Sequence, residues 1–317
     1  MEKRMLGNSD LDISVLGLGS WAIGGNIGDW GWGEQNIQDS IKTIHTALDN
    51  GINWIDTAPA YGLGNSERVV AKALKQSSYR PYIFTKCGFR WNEGESELLA
   101  DLSRHSIREE IELSLARLNV DCIDLYQIHK PNQDHLLEQA WETLTQLKQE
   151  GKVRHIGVSN FSVTQLERVK KITPITSLQP PYSLINREIE QDVLPWCLNN
   201  QVGTIHHSAM SHGLLTGTWD HQRLSYLDAQ DWRRKSEQFQ EPEFSRHLAF
   251  VNFLQTLADK KQCSVAQLSI AWTLAHPATT GTIIGARTRL QLKELLPAAE
   301  IILSPDELKQ IDTFRHS

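Results

Sequence analysis

Along this chain, short runs of apolar and β-branched residues alternate with longer stretches whose apolar positions recur every three or four residues. The short runs predict strands at 15–19, 53–57, 82–86, 122–129, 153–159, 176–179, 203–207 and 280–285. Between them the period is helical. Ile41, Ile44 and Leu48 fall on one face of a helix that stops at Gly51, a residue suited to the left-handed position after a helix. Ile107, Ile111, Leu115 and Leu118 line a second helix. Leu137, Trp141, Leu144 and Leu147 line a third, which ends before Gly151. Eight strand–helix units without a break in composition predict an α/β fold: one domain over 1–317, closed as a parallel (β/α)8 TIM barrel.

Three pieces fall outside that repeat. Residues 3–14 place the turn Gly7-Asn8-Ser9-Asp10 between two short runs, which predicts a hairpin capping the barrel bottom. Residues 218–246 are polar and read as a long insertion after strand seven, a lid or a plain loop. Ser304 and Pro305 have the chemistry of an N-cap and a first helical residue, so an extra C-terminal helix is expected.

Composition narrows the function classes. The 317 residues are 40% hydrophobic and 22% charged, with a formal net charge of −6. That balance offers no electrostatic footprint for nucleic acid or an anionic membrane surface. Cys87, Cys122, Cys197 and Cys263 lack the spacing of a zinc site or a disulfide framework, so reduced thiols and no metal centre are expected. No apolar run reaches membrane-spanning length, and the first residues lack the apolar core of a signal peptide. A cytoplasmic enzyme is the expectation.

In parallel barrels, chemistry sits where the strands end. Here those ends are polar: Asp56 after strand two, Lys86 after strand three, His129 after strand four, Ser159 and Asn160 after strand five, Gln179 after strand six. Tyr61 follows five residues beyond Asp56 in a turn-rich segment. A charged lysine about 4 Å from a phenolate interacts with it by roughly 4 kcal/mol at an effective dielectric near 20. That is enough to bring a phenol from about 10 to about 7–8, where it can act as a general acid. Asp56 would keep Lys86 charged, and His129 would orient a substrate oxygen. Taken singly, each residue has a duller reading: a cap for Asp56, a surface cation for Lys86, packing for Tyr61, a satisfied polar group for His129. Four of them at strand tips favour a site.

The spaced motifs carrying these residues are W-I-D-T-A-P-A-Y-G (54–62), F-T-K (84–86) and D-L-Y-Q-I-H (124–129). Together with L-G-L-G-S-W-A-I-G-G, I-G-V-S-N-F, L-Q-P-P-Y-S, G-L-L-T-G and I-I-G-A-R they resemble the aldo-keto reductase superfamily from about residue 5 to 315. The resemblance implies NADPH-dependent reduction of a small-molecule carbonyl, with Asp56, Tyr61, Lys86 and His129 as the catalytic four. It implies that Ser159, Asn160 and Gln179 hydrogen-bond the nicotinamide carboxamide, with Asp56 nearby, and that Gly19, Ser20 and Trp21 form the loop beneath the ring. His207, Ser208, Met210, Ser211 and Gly213 follow as cofactor contacts after strand seven. Gly285, Ala286, Arg287 and Gln291 grip the adenosine 2′-phosphate, where Arg287 and Arg289 also offer guanidinium forks.

The sequence departs from the family pattern in places. His207 stands where relatives usually stack an aromatic ring on the nicotinamide, and a histidine there would change charge near pH 6.5. Lys130 replaces a substrate-pocket tryptophan. Pointing inward, it would favour anionic or polyhydroxylated carbonyls; pointing outward, it is a solvated charge. Leu295 replaces an adenine-contacting asparagine. Trp30 and Trp32, with Trp21, would wall an aromatic pocket or simply pack.

Gly17-x-Gly19-x-x-Ala22 fits a dinucleotide fingerprint, but a Gly- and Trp-rich loop follows it in place of a helix, and no acid stands about 20 residues on. Two other functions stay open: a cofactor-binding sensor with weak catalysis, and a Schiff-base aldolase using Lys86. Pairing with Asp56 disfavours the latter by keeping the lysine protonated.

Overall fold

The structure, a computed structural model, describes residues 1–26, 31–92, 94–228 and 231–315. Trp30 lies outside them. Among the described residues, eight parallel strands close into a barrel in chain order. They are β1 (Leu16–Gly19), β2 (Trp54–Asp56), β3 (Tyr82–Cys87), β4 (Ile123–Ile128), β5 (Val153–Ser159), β6 (Ser177–Gln179), β7 (Gly203–His206) and β8 (Thr279–Gly285). The expected (β/α)8 barrel is the fold found. Its predicted strands agree with the observed ones to within one residue at either end, where pairing gives way to loop.

The hairpin is present as well. Lys3–Met5 pairs antiparallel with Asp12–Ser14. Leu6, Leu11 and Ile13 close the barrel floor against Trp54, Phe84, Leu125 and Ile205. Trp54 is the centrepiece: its indole N–H donates to Ser14 O at 2.8 Å, and its ring packs against Phe84 at 5.0 Å. Gly17 permits this, because a Cβ there would come within 2.2 Å of the Trp54 ring. Burying each such side chain contributes about 1.5–3 kcal/mol.

The helices bury the faces their periodicity defines. Ile41, Ile44 and Leu48 lie inward on Ile37–Asp49, and Gly51 beyond it is left-handed at φ +87°. Leu137, Trp141, Leu144 and Leu147 are fully buried on Leu137–Gln149. The final helix, Pro305–Arg315, starts from a reciprocal cap between Ser304 and Glu307. No helix among the described residues is long and apolar enough to cross a membrane.

The segment after β7 is more ordered than its polarity suggests. It holds the helix His221–Ser225 and single turns at Trp232–Lys235 and Glu237–Phe239, before the long helix Glu243–Lys261. Trp219, Phe239 and Phe244 pack with Leu214 into a small core of their own. Widely spaced aromatics in a polar stretch carry no period, so they left no mark on the pattern reading.

Candidate active site

Alternation along the strands stacks the barrel interior in layers. Trp54 and Phe84 fill the lower layer; two residues later on the same strands, Asp56 and Lys86 reach the upper one. Lys86 is fully buried. Its Nζ donates to Asp56 Oδ2 at 2.7 Å, Asp56 Oδ1 at 2.9 Å, the Thr57 carbonyl at 3.0 Å and the Tyr61 hydroxyl at 3.3 Å. All four acceptors meet one ammonium. Burial alone would strip its proton, but the Asp56 carboxylate and Tyr61 outweigh it, and the Lys86 pKa stands above its ordinary value.

Tyr61 is carried by a braced turn. Its amide donates to Ala58 O and Gly64 N–H to Pro59 O, while Ser66 Oγ links to Ser20 Oγ at 2.7 Å and Thr57 Oγ1 at 3.0 Å. The phenol does not behave as the sequence predicts. Surrounding protein raises its pKa above the usual tyrosine value; Lys86 pulls it down without cancelling that, and Asp56 pushes it up. Tyr61 keeps some surface exposed to the mouth.

His129 follows β4 directly and faces Tyr61 edge-on at 5.8 Å between ring centroids, with Phe89 against its other side at 5.3 Å. Burial, with the positive charges of Lys86 and Lys130, holds its pKa well below the ordinary imidazole value. It is a neutral hydrogen-bonding group at physiological pH. Lys130 itself is solvent-exposed, a charge on the rim.

The polar row beyond these four is interlocked. Gln179 donates to Asp56 Oδ1 at 2.7 Å, Ser159 donates to Gln179 O at 2.7 Å, and Asn160 Nδ2 donates to the His129 carbonyl at 3.0 Å. Asn160 Oδ1 lies 3.4 Å from His207 Nε2, and the other His207 nitrogen contacts Ser208 Oγ at 2.8 Å. Burial first, then Lys86, His212 and Lys130, push the His207 pKa down to about 3. The expected charge change near pH 6.5 is therefore removed by the buried, positively charged surroundings.

Ser211 Oγ meets Ser183 Oγ at 2.8 Å, and Gly213 is left-handed at φ +97° in the same turn as Met210. Ser20 donates to Asp56 O at 2.9 Å, so its hydroxyl braces the site from within. A Cβ on Gly19 would press on Ile283.

At the far end of the mouth, Gly285 and Ala286 lead into Arg287. Its Nε donates to Gln35 Oε1 at 2.9 Å, its Nη2 donates to the Glu34 carbonyl, and its own amide donates to Gln291 Oε1 at 2.9 Å. Arg289 is exposed, and Leu295 turns into the core.

The aromatic wall is built partly by residues the pattern did not reveal. Trp21 lies 6.4 Å from Tyr61, 5.5 Å from Trp32 and 5.9 Å from Trp232, which descends from the segment after β7. Arg233 stacks on Trp32 and Trp219 and pairs with Asp231. Behind β3, the buried Glu67 accepts from Thr85 Oγ1 at 2.7 Å and Arg117 Nε at 2.6 Å, fixing the strand beside Lys86. Only an acid at a helical position facing the core hints at this in the sequence.

The mouth of the closed barrel thus holds a buried Asp–Lys pair against a phenol, with a neutral imidazole alongside. The chain belongs to the aldo/keto reductase family: the family model matches residues 15–316. It is 38% identical over 316 residues to an aldo-keto reductase, YhdN, of Bacillus subtilis (strain 168), covering 99% of this chain and 93% of the relative. It is 34% identical to an NADH-specific methylglyoxal reductase of Escherichia coli (strain K12), covering 96% and 95%. Among solved structures it resembles the glycerol dehydrogenase AKR11B4 of Gluconobacter oxydans, with a TM-score of 0.91, 34% identity and coverage of 99% and 94%. The family comprises oxidoreductases that use nicotinamide cofactors and act on small carbonyl compounds.

Proposed function

We propose that this chain, read as one barrel domain working in the cytoplasm, reduces aldehydes or ketones with NADPH and uses Tyr61 as the proton donor. The donor set suits such a cofactor: a row of amide and hydroxyl groups at Ser159, Asn160 and Gln179 for a carboxamide, and guanidinium groups at Arg287 and Arg289 for a phosphate. The bound cofactor would supply the hydride.

The chain supplies the rest. The Tyr61 hydroxyl gives its proton to the substrate oxygen. Lys86, 3.3 Å away, meets the phenolate charge that remains, and solvent returns the proton. Asp56 keeps Lys86 charged throughout. Neutral His129 orients the carbonyl by a hydrogen bond to its oxygen. For alcohol oxidation the same proton transfer runs backwards.

The observation that carries the proposal is the single ammonium shared by Asp56 and Tyr61. The test is Tyr61→Phe, assayed by NADPH oxidation with a carbonyl panel that includes methylglyoxal and glyceraldehyde. Turnover should vanish while NADPH still binds; full activity in the variant would overturn the assignment. Tight NADPH binding by the wild type without turnover of any carbonyl would favour a sensor. The name of the Escherichia coli relative makes NADH the competing cofactor, and the Arg287 experiment below addresses that choice.

A further inference from the structure

We infer that Glu110, on the helix Arg104–Leu118 and outside the catalytic four, is the positioning residue for His129. The inference rests on the carbonyl-reduction reading of the site.

One peptide group carries the link. The carbonyl of Cys87 accepts the His129 backbone N–H at 3.0 Å. The N–H of the same peptide, on Gly88, donates to both Glu110 oxygens, at 3.2 and 3.0 Å. A hydrogen bond on one side of an amide polarises it and strengthens the bond on the other. Gly88 leads directly into Phe89, whose ring is the one packed edge-on against the His129 imidazole at 5.3 Å. Glu110 therefore grips the peptide that carries the backbone contact of the histidine, one residue before the ring contact.

The carboxyl is itself pinned. It is 5% exposed, and Ser106 Oγ, one helical turn earlier, donates to Oε1 at 3.0 Å. Gly88 makes the approach possible: its φ is +100°, and a Cβ there would come 2.7 Å from Leu102. A carboxyl in this position is costly to bury. Burial raises it to about 8, against the opposing pull of Ser106, the Gly88 and Phe89 amides and Arg90, with Cys87 and Tyr126 also facing it. An apolar residue would cover the same helix face at lower cost but could not grip the Gly88 amide.

Two substitutions separate geometry from bulk. Glu110→Gln keeps an acceptor oxygen for the Gly88 amide and a polar partner for the Ser106 hydroxyl, whereas Glu110→Leu removes both. With NADPH and the carbonyl that the wild type turns over fastest, Glu110→Leu should lower kcat about tenfold, less than the ~10²–10⁴-fold of an acid–base group itself, because it acts only through His129. The NADPH dissociation constant should stay near the wild-type value, and Glu110→Gln should recover most of the loss. In a His129→Ala background, Glu110→Leu should cost nothing more, because the residue through which it acts is gone. An undiminished kcat in the leucine variant, or a loss that adds in full to that of His129→Ala, overturns the role.

Phe89→Leu removes the ring contact without touching the carboxyl, and serves if Glu110→Leu does not fold. A readout independent of turnover is the NMR titration of the His129 ring. The ring should stay neutral across pH 5–8 in the wild type and Glu110→Gln, and titrate closer to 6.5 in Glu110→Leu or Phe89→Leu. Identical titrations in all four proteins would sink the positioning role alone. Absence of turnover in the wild type would instead sink the carbonyl-reduction reading.

Discussion

Gln179 donates its amide N–H to Asp56 Oδ1 at 2.7 Å, on the same carboxylate that anchors Lys86. The two contacts come from β6 and β3, so one acid ties separate sectors of the barrel mouth together. Replacing Gln179 with leucine leaves Asp56 with a single side-chain donor. A hydrogen bond to a charged group contributes about 1.5–3 kcal/mol, so kcat/KM should fall roughly tenfold or more. Steady-state kinetics checks this, and wild-type values in Gln179→Leu would show that Lys86 alone fixes the carboxylate.

The Tyr61→Phe variant described above isolates the proton donor. The lost hydroxyl is also a partner of Lys86, yet Asp56 and the Thr57 carbonyl still satisfy that ammonium. The variant should therefore fold with a near-wild-type melting temperature, and calorimetry beside the kinetic assay distinguishes lost chemistry from lost structure.

Glu110 makes stability depend on pH. Its pKa lies at about 8 in the folded chain, against an ordinary value of 4.5. The folded chain keeps this proton between those values, where the unfolded chain has released it. The contribution to stability is complete below about pH 4.5 and is lost as pH rises through 8. Urea midpoints measured at pH 5, 7 and 9 should decline in the wild type. Glu110→Gln, which has no proton to lose, should show a flatter trend. Parallel trends in the two proteins would contradict the buried acid.

His207 stays neutral because burial and the nearby Lys86, His212 and Lys130 hold its pKa at about 3. The pH dependence of NADPH affinity between 5 and 8 should then have the same shape in the wild type and His207→Tyr. The larger ring should bind several-fold more tightly, in line with about 0.5–1.5 kcal/mol for an aromatic pair. A step near pH 6.5 present only in the wild type would show that His207 titrates after all.

Arg287 presents a guanidinium already oriented by Gln35 and Glu34. If it receives the 2′-phosphate, Arg287→Ala should raise the KM for NADPH about tenfold or more and leave that for NADH nearly unchanged, since charge-assisted phosphate contacts are the strong ones. Equal losses with both cofactors would exclude phosphate recognition by this residue.

Much of this protein was legible because its signals are local and periodic. The 2-residue alternation of Trp54-x-Asp56 and Phe84-x-Lys86 sets which side chains face the barrel axis. The helical stripes of Ile41, Ile44 and Leu48, or Leu137 and Trp141, need only a surface to cover. Order along the chain, with Asp56, Lys86 and His129 at strand tips, then brings these polar groups to one mouth. What the sequence alone determined is the architecture and which polar side chains stand at the strand ends, since both follow from spacing.

The electrostatic state of those groups was decided by three-dimensional packing. Tyr61 sits above its ordinary pKa because enclosure outweighs Lys86, and His207 is neutral because it is buried among positive charges; neither balance can be read from neighbours in the chain. Glu110 meets Gly88 across some twenty residues, and Trp232 reaches Trp21 from the segment after β7, two strands round the barrel. Desolvation and Coulomb energies depend on distances through space. Those distances exist only once the barrel has closed.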